Sequence, residues 1–385
     1  MKLVRRTPAP ILLSVLIACS LGEQGTEIDS RLVDVDEILL LQNSPEFVGV
    51  RDAILLDGSL WVLDGGPPFV SQVALRGSET RQFATEGEGP GEFLDPWAIQ
   101  PTLRPDSAGV LVWDVGAGRV SEFDRSGSFR GSERLDSEGR IRARSDIQNV
   151  SYADPFRVRN DRLTFVVGRF PRRIDRTSDL TRGALIRADR LLQPGPELAR
   201  FSDHVGRGPE SYLEWSPVPF WDACDGVVVL WSPGSEELLW MDADGSVRGR
   251  VHVELPQVPV ELDDIETYLR WMARLELGPG YESSGIDFTN LAPDYRGRFA
   301  DVRPMATDIR CESSDVAWLR LFDTSVDPLG RGADWIRVSI DTRTERFSFP
   351  SAFNPVVFTE EAVYGVMEVS QGHQTLARWA VSPSG

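Results

Sequence analysis

Short apolar runs, bounded by glycine, proline and acidic turns, recur along almost the whole chain. Val110–Asp114 (VLVWD), Arg119–Asp124 (RVSEFD) and Val227–Trp231 (VVVLW) are rich in β-branched and aromatic residues, which fit a pleated, half-buried strand. Six prolines open apolar segments: Pro45, Pro96, Pro155, Pro219, Pro304 and Pro355. At the first residue of a strand the missing N–H of proline costs least. The runs that follow predict second strands around Val62, Val112, Phe165, Val229, Trp318 and Tyr364, and third strands near Val73, Val120, Leu185, Leu239, Ile336 and Leu376.

One stretch changes period. After the run containing Val251 and Val253, Leu262, Ile265, Leu269 and Met272 recur at helical spacing, with Asp263 and Asp264 at the start and Arg270 and Arg274 towards the end. Acids at a helix N-terminus and arginines at its C-terminus each suit the helix dipole by about 0.3–1 kcal/mol. Gly278-Pro279-Gly280 stops the pattern. It marks an insertion of about 260–303, whose apolar stripe either packs on the body or serves as a lid or docking element; the long stretch Tyr281–Arg303 is of the kind that carries binding on a rigid scaffold.

Repetition comes before any division into domains. The clearest copy runs GEGPGEFLDPWAI (Gly87–Ile99), VLVWD, RVSEFD and RSGSF (Arg125–Phe129), and it closely resembles the NHL repeat. In that family the glycine-rich segment crosses between blades, a proline opens the innermost strand, V-x-D ends the second, an arginine opens the third and Asp-x-x-Gly turns into the fourth; Pro96, Val112, Asp114, Arg119, Phe123, Asp124 and Gly127 fall on those places. A second copy from GRGPE (Gly206–Glu210) to Arg250 keeps the scaffold but has Trp231 where the aspartate would stand. The resemblance implies an all-β, six-bladed β-propeller of four-stranded antiparallel blades covering residues 31–385. Leu32–Leu40 is expected to close the last blade as its outer strand, because an open ring would expose strand edges.

The first residues carry Lys2, Arg5 and Arg6 ahead of an apolar run, Ile11–Ala18, too short to span a membrane permanently. Leu16-Ile17-Ala18-Cys19 resembles the lipobox of bacterial lipoproteins. That implies a signal peptide over 1–18, acylation of Cys19, a polar tether over 19–30 and a membrane partner through the lipid; Ser20, where an aspartate would retain the protein at the inner membrane, implies the outer membrane. Removing 1–18 lowers the formal charge from −18 to −21. Such a surface argues against nucleic acid and anionic lipid. Lys2 is the sole lysine of the sequence, so the mature chain has no Schiff-base or phosphate-loop lysine.

The remaining chemistry is sparse. His204, His252 and His373 fall in different repeats and show no ligand spacing, so neither a metal nor a cofactor is expected. Asp242-Ala243-Asp244-Gly245 opens like a calcium loop but has Val253 at the twelfth position, and reads as a turn. No G-x-S-x-G elbow occurs. Cys224 and Cys311 follow their blade-opening prolines similarly; they either form a disulfide between neighbouring blades or are two buried thiols. Trp97 and Trp221 lie just after blade-opening prolines and, with Leu262, Leu269 and Met272 of the insertion, are the candidate contacts for a protein, peptide or glycan partner. The reading is a membrane-anchored envelope lipoprotein acting as a binding scaffold. The alternative is a lyase- or lactonase-like envelope enzyme using carboxylates in the central channel.

Overall fold

The computed structural model describes residues 32–35, 38–102, 109–134, 158–160, 165–169, 180–188, 194–204, 214–215, 219–232, 236–242, 244–278, 280–324, 331–370 and 372–381. The chain is an all-β propeller. It enters as β1 (Leu32–Asp34) and β2 (Leu39–Leu40) and then lays down sheets in succession. The first blade is β3 (Val50–Leu56), β4 (Ser59–Asp64), β5 (Val70–Ala74) and β6 (Thr80–Phe83). The second is β7 (Pro96–Pro101), β8 (Gly109–Asp114), β9 (Arg119–Asp124) and β10 (Phe129–Arg134). The third is β11 (Val158–Asn160), β12 (Phe165–Arg169), β13 (Leu180–Ala188) and β14 (Pro194–His204). The fourth is β15 (Phe220–Cys224), β16 (Val227–Ser232), β17 (Glu237–Asp242) and β18 (Val247–His252). Then come β19 (Ala306–Ser313), β20 (Val316–Phe322), β21 (Arg331–Ser339) and β22 (Thr344–Ser348), and finally β23 (Phe353–Phe358), β24 (Ala362–Ser370) and β25 (His373–Ala380). The innermost strands β3, β7, β11, β15, β19 and β23 touch in chain order, and β23 returns to β3.

The expectation of six alike blades is corrected. Five sheets are four-stranded and antiparallel, whereas the sheet begun by β19 has five strands, with β1 added in parallel to β22. Leu32–Leu40, expected as one outer strand, divides between two sheets: β2 pairs antiparallel with β25 and completes the closing blade, while β1 lies on the neighbouring mixed sheet. The cause is packing between them. Val35 is buried among Phe347, Phe349 and Trp379, so the chain is pinned across the seam before it can run along either edge. Closure is reinforced where Ser44 Oγ accepts the Leu376 N–H at 2.8 Å and Gln374 Oε1 accepts the Val50 N–H at 3.0 Å.

The core sits between sheets. Trp61, Leu63, Ile99, Val112 and Phe123 join the first and second blades, and Trp231, Trp240, Ile309, Leu319 and Ile336 join the fourth to the mixed sheet. Trp318, Trp335, Phe358 and Trp379 fill the next seam, with Trp318 and Phe358 centroids 4.9 Å apart. Aromatic burial of this kind dominates core energetics. Each predicted second- and third-strand centre lies in a strand. Asp57-Gly58 and Asp225-Gly226, at φ 50°/73° and 52°/83°, make the tight turns into β4 and β16 that an Asp-Gly pair favours.

Candidate functional site

Because strands alternate in direction, the starts of first and third strands and the ends of second and fourth strands share one face of the ring. The crossings between sheets lie on this face, and two carboxylates organise it. Asp64, at the end of β4, accepts the N–H groups of Val48 (3.0 Å), Gly49 (2.8 Å) and Gly65 (2.7 Å). Asp114, at the end of β8, accepts those of Leu94 (3.0 Å), Asp95 (2.9 Å) and Ala117 (3.1 Å). Arg119 then clamps the glycine-rich crossing, donating to the carbonyls of Glu88 (2.8 Å), Gly89 (3.2 Å) and Glu92. Glycine is required there: a Cβ on Gly87 would sit 2.1 Å from the Glu92 carboxylate, at φ +152°.

Trp97 is 40% exposed on this face, with the Arg51 guanidinium 5.5 Å over its ring and in turn 2.6 Å from Asp95. Trp221 does not join it. At 6% exposure it packs with Leu185, Leu198, Leu230 and Met241 between the third and fourth blades, so it is a core residue and the expectation of a ligand contact is corrected. Strand alternation on β15 turns Trp221 to that seam. Its neighbour Asp222 accepts the Cys311 N–H of β19 at 2.8 Å, and in the first blade Asp52 accepts the Ile99 N–H of β7 at 3.1 Å. These inner-strand carboxylates tie neighbouring sheets together. Cys224 of β15 and Cys311 of β19 are joined as a disulfide between the fourth blade and the mixed sheet, where Asp222 also bridges, their Cα atoms 5.9 Å apart.

The insertion stands on the crossing face between β18 and β19. Its two legs pair, the Val260 N–H donating to Asp301 O at 3.1 Å and the Arg303 N–H to Val258 O at 2.8 Å. Between them lie α1 (Leu262–Leu277) and α2 (Phe288–Tyr295). Ile265 and Tyr268 face inward onto Trp215, Phe299 and Ala292, with Leu269 and Met272 partly buried against them, and Ala273 is buried on the same helix. Trp215 meets Tyr268, Phe299 and Phe322 edge-on at centroid distances of 5.8, 5.0 and 5.5 Å, and Phe322 fastens the group to β20. Asp264, at the first turn of α1, accepts from the Glu261 N–H at 2.9 Å and from Arg303 at 2.6 Å. The helix therefore packs its stripe, as one of the two readings of the periodicity holds. Leu262, at 45% exposure, stays outside it. On the outer side Arg270 bonds Glu266 one turn earlier and holds that carboxyl below its ordinary range.

Under the insertion opens a cleft of about 520 Å³. Leu255, Met305, Leu321, Phe322 and Ile336 supply its apolar wall, continuous with the core between the fourth blade and the mixed sheet. Glu254, Arg303, Asp323, Asp334 and Arg346 supply its charges. Arg303 is held by Asp264, and Arg346 by Asp334. The sequence gives no sign that these residues share a site: they come from 254 to 346 with no common spacing. Pro304 is legible as a strand opening, Ile336 as a strand centre and Arg303 as the end of the long stretch of the insertion, and all three line the cleft.

His252 is exposed on β18, and His373, on β25, lies 3.9 Å from Glu46. Among the described residues no group of three or more histidine, cysteine or acidic side chains is placed to hold a metal, and no helix is long and apolar enough to cross a membrane. Cys19, with the signal peptide and tether, lies outside the described residues.

No family model matches the chain, and no curated protein does. Solved structures do match. A Bacteroides fragilis protein designated as exported superposes with a TM-score of 0.50 at 11% identity, over 90% of this chain and 94% of that one. Virginiamycin B lyase from Staphylococcus aureus gives a TM-score of 0.37 at 10% identity, over 88% of this chain and 99% of that one. Regucalcin, a calcium-binding protein from Agrobacterium tumefaciens, gives 0.38 at 9% identity, over 91% and 95%. At 11% identity the likeness to the Bacteroides fragilis protein is one of fold alone.

Proposed function

We propose that the protein is a bacterial envelope lipoprotein, anchored through Cys19 and residing at the outer membrane, whose NHL-like propeller binds a protein partner through its crossing face. The cleft beneath the insertion carries the reading, being a concave, largely apolar recess on the face where the loops gather. Its volume falls within the range of about 300–1,000 Å³ usual for ligand sites. Trp97 and Leu262 add exposed apolar surface on the same side. The enzyme alternative draws on channel carboxylates, but Asp52 and Asp222 spend theirs on backbone N–H groups of the neighbouring sheet.

Two measurements test this. Palmitate labelling and envelope fractionation should place the full-length chain in membranes and release a Cys19→Ala variant. Site-specific photocrosslinkers at Trp97 and Leu262 should capture a discrete envelope protein, whereas one at Glu79, in the turn on the opposite face, should not. Equal capture from Glu79, or none from either crossing-face position, would count against the scaffold reading.

A further inference from the structure

We infer that the cleft takes an extended peptide segment of the partner in which a bulky apolar side chain is flanked by arginine or lysine. The inference rests on the scaffold reading above and names the chemistry that the site recognises. The apolar wall of Leu255, Met305, Leu321 and Ile336 offers burial to a side chain and no hydrogen bonds to a polar one. The sign of the flanking charge follows from how the charged groups are already used. Both guanidinium groups of the lining are spent within the chain, Arg303 on Asp264 and Arg346 on Asp334. Glu254 is exposed at the mouth, and among the described residues its side chain makes no ion pair or hydrogen bond. A cation arriving there meets an unspent carboxylate. An anion meets that carboxylate and two guanidinium groups with no charge to spare.

Length argues for a peptide over a small organic cation. Val258, which lines the cleft, is itself 40% exposed, and Leu262, four residues on at the first turn of α1, is 45% exposed. A ligand confined to the cleft leaves those side chains wet; a chain passing out of the cleft covers them. The net charge of −18 adds long-range attraction for a basic segment but does not by itself select this site, and the test separates the two.

The probe is a fluorescein-labelled octapeptide with one central Leu or Phe flanked by Arg, measured by fluorescence anisotropy against the full-length protein in nanodiscs of zwitterionic lipid. Its controls carry Glu in place of Arg, or Ala in place of the central residue. The basic apolar peptides should bind and both controls should fail. Glu254→Lys should weaken binding at least tenfold, while Glu79→Lys, an equal change of net charge on the opposite face, should weaken it less than twofold. Equal losses from the two variants would show general attraction to an acidic body and overturn the inference, as would binding of the Glu peptide or no binding by any basic peptide. If crosslinks from Trp97 and Leu262 persist in the Glu254→Lys protein with unchanged yield, the ligand chemistry is wrong and the scaffold reading stands. If those crosslinks are absent from the parent protein as well, the scaffold reading itself fails.

Discussion

Replacing Asp114 by alanine removes the acceptor of three backbone N–H groups at once, from Leu94, Asp95 and Ala117. The carboxylate is fully buried, and Gly116 packs against Leu94 and Asp95 so closely that a Cβ there would lie within 2.9 Å of them. The turn therefore has little freedom to find new acceptors. An unsatisfied buried donor costs about 1–3 kcal/mol. The three donors are only partly buried, which places each near the lower end, so Asp114→Ala should lose about 3 kcal/mol. Asp114→Asn keeps one carbonyl acceptor and the side-chain shape, and should lose about half as much. Guanidinium denaturation followed by tryptophan fluorescence and by circular dichroism gives the midpoints, and Asp64→Ala in the first blade provides an independent repeat of the same geometry. An alanine variant within about 0.5 kcal/mol of the parent would refute the reasoning, because the donors would then be finding water or other partners at no cost.

Two further outcomes follow from local chemistry. Converting Cys224 and Cys311 together to serine should cost about 2–4 kcal/mol, since the bond closes a separation of 87 residues; an unchanged denaturation midpoint would show that the seam is held by its apolar core alone. Asp124 is held at about 2, below 3.8, chiefly by the Ser126 hydroxyl, with the Ser128 and Ser126 N–H groups and Arg130 assisting. A depressed folded-state value stabilises the fold above the unfolded value, and that contribution is lost as pH falls from about 4 to 2. Asp124→Asn should therefore be less stable than the parent at neutral pH and converge on it in that acid window, as read from denaturation midpoints across pH; a constant gap down to pH 2 would contradict the assignment.

The devices that build the scaffold were the legible part, because they recur. Asp114, Arg119 and Gly127 stand at fixed places in one repeat, and each does a backbone job: accepting crossing N–H groups, clamping crossing carbonyls, and turning at φ +78°. The helix of the insertion was legible from Leu262, Ile265, Leu269 and Met272, since a 3.6-residue period is local. What escaped was set by tertiary context. Nothing in Leu32–Leu40 says that Val35 will be drawn into a seam of aromatic residues more than three hundred positions away, which divides one expected strand into two on different sheets. Proline spacing could mark Trp221 as close to the ring's centre but not which way it turns; the partner that decides it, Leu185, belongs to another blade.

The cleft escaped for a deeper reason. A repeat announces residues that every copy needs, while a binding recess is built where copies differ, and this one draws its charges singly from a leg of the insertion, the ends of β18 and β20, and two outer strands. Carboxylates are abundant in this chain, and composition cannot separate those that hold the fold from those left to meet a partner. Hydrogen-bond accounting can. Asp64 and Asp114 each accept three backbone N–H groups, Asp52 and Asp222 each bridge to the next sheet, and Asp264 and Asp334 each hold an arginine. A carboxylate so engaged resists recruitment, because a ligand cation would have to replace bonds already made. Glu254 has no such engagement among the described residues and stands beside an apolar recess. On a surface carrying so many acids, that difference in commitment, more than charge itself, picks out the position where a substitution should change binding and leave stability alone.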